Sequence, residues 1–192
     1  MGLTTKLEAV NIMISVIGES PVNTLGGTSV PVTVIQSVQV LDETSKAIQS
    51  EGWHFNTEYD YPLIPDASTS KITLPVNTLK IDLDPEIYTD TDPVQRGLKL
   101  YDRKKHTELW TKDLKALITF ELAFEELPEQ FRHYITVKAA RIFATRFLGS
   151  REIEGFALRD EIEAKARAID SDSESADRTI FDNYSVLRVL DR

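Results

Sequence analysis

Three histidines, 31 acidic residues and no cysteine set the limits of the chemistry open to this 192-residue chain. Histidine is the usual general base and metal ligand near neutral pH, yet His54, His106 and His133 fall in three separate regions, none with a second histidine at ligand spacing. Each reads more simply as an ordinary strand, turn or helix-surface residue. Paired carboxylates are the machinery of glycoside hydrolysis, and Asp82 with Asp84, Asp90 with Asp92 and Glu152 with Glu154 have candidate spacing. In so acidic a chain such pairs arise by composition, and solvated charge that blunts sheet edges and covers helix surfaces accounts for them. No G-x-S-x-G elbow presents a nucleophilic serine, and Gly26-Gly27-Thr28 lacks the lysine and outer glycine of a phosphate loop. Without cysteine there is no thiolate, disulfide or cysteine-held metal. The reading is of a protein that is not an enzyme, uses no cofactor and no metal, and works through its surfaces.

The formal charge of −9 is spread along the chain, with acids in excess in each of the regions 1–52, 53–125 and 126–192. Affinity for nucleic acid comes largely from Lys and Arg neutralising phosphates, so DNA is expected to pass such a chain without tight binding. The one basic cluster, Arg103-Lys104-Lys105-His106, is flanked by Asp102 and Glu108 and reads as a charged hairpin tip. Arginine is favoured at interfaces because its planar fork pairs bidentately and stacks. Arg132, Arg141, Arg146 and Arg151, in the last two helical runs, are therefore candidate subunit-interface residues, with Leu187 and Leu190 from the apolar run Thr179 to Leu190 near the C-terminus. No apolar stretch is long enough for a bilayer and no signal pattern opens the chain, which leads us to expect a soluble protein that keeps its N-terminus and has no membrane partner.

The elements that must hold these residues follow from hydrophobic period. Leu7, Val10, Ile14 and Ile17 line one face of a helix over Thr5 to Ile17, stopped by Gly18. A loop dense in Pro, Gly and Ser follows, and Val34, Ile35, Val38, Leu41 and Ile48 mark a second helix over Val32 to Ser50. At Trp53 the period becomes two, through Phe55, Tyr59 and Tyr61. Short runs at Lys71 to Leu74, Leu79 to Leu83, Gly97 to Tyr101 and Ala116 to Phe124 continue it, with Pro75, Pro85 and Pro93 between them. Helical period returns from Pro128 to Gly149 and from Arg151 through Ile153, Phe156, Ile162 and Ala166 to Ile169. The polar tract 170–177 reads as a solvated helix end or a joint. The expected fold is α+β: a four-helix body from 1–52 and 126–178, an inserted, mostly antiparallel β-rich lobe at 53–125, and a C-terminal extension at 179–192.

Beyond these patterns, the opening from Leu7 to Leu25, the junction Gln49-Ser50-Glu51-Gly52-Trp53-His54-Phe55-Asn56, the turn Leu100-Tyr101-Asp102-Arg103, and Leu127 to Ile135 running into Ala139-Ala140-Arg141 and Arg146 to Gly149 occur in a familiar order. In this the chain resembles the tail tubular protein A family, the head-proximal tail proteins of short-tailed bacteriophages. The resemblance implies a virion protein forming a homo-oligomeric ring, twelve copies in the family tail, beneath the portal protein. It implies a nozzle of tail tubular protein B below the ring, tail fibres attached near the junction of the two tail proteins, and genomic DNA passing through the channel. A carbohydrate-active hydrolase or receptor-binding module is the alternative, since Trp53, Tyr59, Tyr61 and Trp110 are aromatic platforms on which sugars stack.

Overall fold

The computed structural model of the chain describes residues 2–27, 30–148 and 151–176, with the backbone alone for 148 and 151–157. By contact the chain divides into two units, 1–44 with 124–192, and 45–123.

The first unit is helical. Its α1, Lys6–Val16, opens on a reciprocal capping box: Thr5 Oγ1 accepts from the Glu8 N–H at 3.2 Å and Glu8 Oε2 accepts from the Thr5 N–H at 2.8 Å. These bonds hold the Glu8 carboxyl below its usual range, the Thr5 backbone bond contributing most. The helix ends in a Schellman turn, with Gly18 at φ +82° donating to Ser15 and Glu19 donating to Ile14. Asn11 then clamps the following loop, accepting from Val22 N at 2.8 Å and donating to Val22 O at 3.0 Å. Helix α2, Val32–Gln49, starts just after Pro31 and crosses the unit boundary between Thr44 and Ser45. Helix α3, Glu129–Leu148, packs against both α1 and α4, Arg151–Ser175. Phe131, Tyr134, Ile135, Ala139 and Phe143 of α3 are buried, as are Ala9, Val10, Met13 and Ile14 of α1. From α4, Ala164 and Ala168 are buried, one turn apart.

The second unit is built on an antiparallel sheet. Its β1, Thr57–Leu63, and β2, Thr78–Leu83, flank a central β5, Leu114–Phe120. Strands β3, Pro93–Arg96, and β4, Lys99–Asp102, form a separate hairpin. Leu63, Ile72, Leu74, Leu83, Leu100, Trp110, Leu114 and Ala116 make one core, where the Trp110 indole donates to Leu100 O at 3.0 Å. The sheet and its helical companion establish the α+β class.

Local expectations differ from this in four places. Trp53 and Phe55 do not extend a strand: residues 54–56 form a single 3-10 turn, because Asn56 folds back to accept from the Trp53 N–H. Lys71 to Leu74 makes two isolated bridges, to Leu109 and Lys99, in place of a strand. Pro93, taken as a separator, starts β3; Gly97, at φ +62°, lies in the turn of that hairpin. The central strand stops at Phe120, and residues 124–126 form a 3-10 turn. Of the two readings of the polar tract the helix end holds: α4 runs through it as far as Ser175, with the Ser173 and Ser175 hydroxyls bonding back to carbonyls four residues earlier.

Candidate interface site

The candidate arginines differ sharply in what holds them. Arg132 is 4% exposed. Its Nε donates to Leu127 O at 2.8 Å, one terminal nitrogen to Thr4 O at 2.9 Å and the other to Glu125 O. Beside it Glu129 accepts from Thr4 through both backbone and hydroxyl, at 2.9 and 2.5 Å. The guanidinium thus ties the N-terminal segment and the 124–127 turn to the start of α3, and its three nitrogens each donate to a carbonyl of its own unit.

Arg141 is half-way between core and surface. Its Nε lies 2.5 Å from Glu161 Oε2, and the two side chains are 20% and 13% exposed. This pair joins α3 to α4 with little solvent around it, where a hydrogen-bonded ion pair is screened least. Arg146 is open: it reaches Glu43 of α2 at 3.3 Å with both side chains mostly in water. It forms the lip of a cleft of about 300 Å³ lined also by Gln36, Gln39, Phe143 and Phe147. Among the described candidates, Arg146 has its charged head where another chain can reach it. The Arg151 side chain, Leu187 and Leu190 lie outside the described residues.

The chemical candidates are turn-formers and ion-pair partners. Asp90 meets Lys105 at 2.8 Å and Asp92 meets Arg103 at 3.6 Å, so the basic hairpin region is neutralised by its own neighbours. That pairing, led by the hydrogen bond, lowers the Asp90 carboxyl and raises the Lys105 amine. Arg96 stacks over Tyr101 at 3.5 Å, and Lys71 and Lys99 both face Glu108, at 2.8 and 3.8 Å. Asp82 and Asp84 border an open cleft of about 390 Å³ with Tyr59, Asp60 and Ile87. Both are engaged locally, Asp82 accepting from Leu83 N and Asp84 from Glu86 N. The side chains of Glu152 and Glu154 lie outside the described residues. Among the described residues no group of three His, Asp or Glu could hold a metal ion.

Two features were missed by pattern reading. Asn56, 3% exposed, donates to Gln49 O at 3.0 Å and Phe120 O at 2.8 Å while accepting from Trp53 N at 2.9 Å, and so fixes the entry to the sheet unit. Its presence in the Gly52 to Asn56 junction was the available signal. The other is the face α4 buries. Ile162, Ala166 and Ile169, part of the apolar period of that helix, are exposed, whereas Ala164 and Ala168 face inward.

A family profile described as Tail tubular protein matches residues 7–178. The chain belongs to the tail tubular protein family. No match was found among curated proteins. Membership makes this tail tubular protein a structural component of a bacteriophage tail, built into the virion alongside other tail proteins. The match begins one residue after the first residue of α1 and ends three residues after Ser175, the last residue of α4, so it takes in both units.

Proposed function

We propose that this tail tubular protein is a non-catalytic ring subunit that joins the portal protein of the head to a nozzle of tail tubular protein B, with the ejected genome passing through its channel. The ring is proposed to hold twelve copies, beside the attachment of the tail fibres. The observation that carries the reading is the family match across 7–178. The acidity supports it: with 31 acidic against 22 basic residues, a channel wall rich in carboxylates repels DNA and lets it slide. The basic hairpin supports it too, because Lys105 is paired with Asp90 and Asp102, Arg103 with Asp92, and the Lys104 amine donates to Thr89 O, which leaves little uncompensated charge for a phosphate backbone.

Mass measurement of the purified chain alone and mixed with a portal ring tests the proposal. The expected result is a single species in which the portal mass grows by twelve chains. Two species that stay separate at every mixing ratio would overturn it.

A further inference from the structure

Leu158, Ile162, Ala166 and Ile169 fall within about 80° of arc around α4, since each residue advances about 100°. All four are exposed, Ile162 at 62%. The opposite side of the helix is the one packed, through Ala164, Ala168 and the Glu161–Arg141 pair. A helix that buries its alanines and leaves its isoleucines in water has a second apolar face still to be covered.

The sequence holds a segment of matching character. Beyond Ala176 sixteen residues remain, and Ile180, Tyr184, Leu187 and Leu190 recur at intervals of four and three, with Phe181 beside them. On a helical period they share one face. That face covers about 15 Å and the α4 stripe about 16 Å, at 1.5 Å per residue. Reach decides which copy supplies it. Folded back as a helix on its own α4 through a short turn, the segment runs antiparallel from residue 176 and ends near residue 166. It then covers Ile169 and leaves Ile162 and Leu158 bare. Supplied by a second copy, it can lie along the whole stripe.

We infer that the C-terminal segment Thr179 to Leu190 of one copy docks on the Leu158–Ile162–Ala166–Ile169 face of α4 in the next. This rests on the reading that copies of the chain assemble. It adds the contact: a donor arm and an acceptor face on different surfaces of one subunit. That arrangement is heterologous and propagates from copy to copy until a ring closes.

The absence of native cysteine makes the test direct. Ile162→Cys chains are mixed with Leu187→Cys chains and oxidised, and the double variant is oxidised by itself. The expected results are a cross-linked heterodimer from the mixture and a ladder of multimers from the double variant. A Val76→Cys control, also exposed but in the other unit, stays uncoupled to Leu187→Cys. Ile162→Asp, a surface change compatible with folding, weakens association of copies about tenfold or more. An intramolecular cross-link in the double variant, or no cross-link while copies still associate, overturns the arm exchange and leaves the ring reading standing. Chains that associate neither alone nor on the portal overturn both.

Discussion

At the scale of single residues, burial and bond count separate the arginines that hold the fold from those open to a neighbour. Arg132 satisfies three carbonyls in a site 4% exposed, so Arg132→Ala leaves those oxygens without donors and is expected to cost about 3 kcal/mol of unfolding free energy. Arg146, whose pair with Glu43 is solvated, should change stability by less than about 0.5 kcal/mol when truncated. Urea unfolding of the two variants checks this, and equal losses would contradict it. Asp66 carries a different signal. Its Oδ1 accepts from the hydroxyls and N–H groups of Ser68 and Thr69, and these bonds, the Ser68 hydroxyl first, lower its pKa to about 2. A carboxyl depressed in the folded state stabilises it above the unfolded value of about 4, and loses that contribution as pH falls through about 2. Asp66→Ala should therefore be less stable than the parent at pH 7 and match it below pH 2. A carboxyl titration in the folded protein that centres near 4 would refute the assignment.

At the scale of elements, the helices were legible because their period and end signals agree. Gly18 reads as a stop and Pro128 as a helix start, its carbonyl accepting from Arg132 N, and the structure adds the Thr5–Glu8 capping box. The strands were less so, because side chains override alternation. Trp53 and Phe55 have strand spacing, but Asn56 gathers two carbonyls and an N–H and turns the backbone into a 3-10 loop before β1 starts. Asn56→Ala should cost about 2–3 kcal/mol, measured as a lowered unfolding midpoint, with Asn56→Asp at least as damaging because an acceptor then faces two acceptors. An unchanged midpoint in both would show that the junction is held some other way. The period of α4 marked a helix correctly without saying which side packs. Alanine permits a closer approach to α3 than isoleucine, so the small residues turned inward, and the interface candidates Leu187 and Leu190 lie beyond the described residues.

At the scale of the whole molecule, nothing in the sequence composition alone distinguishes a ring subunit from any acidic α+β protein. What carried the functional reading was the order of short segments from Leu7 to Gly149, and the family match over 7–178 spans that stretch. The division into 1–44 with 124–192 and 45–123, with its boundary inside α2, comes from the structure. Copies of this chain are proposed to form a closed ring between portal and nozzle. A reconstruction of the head–tail junction of the virion tests it most directly. The predicted result is a ring of twelve copies beneath the portal, with acidic side chains outnumbering basic ones along its lumen. Copies located only at the far end of the tail, or a ring at the junction whose lumen is lined mainly by Lys and Arg, would contradict it.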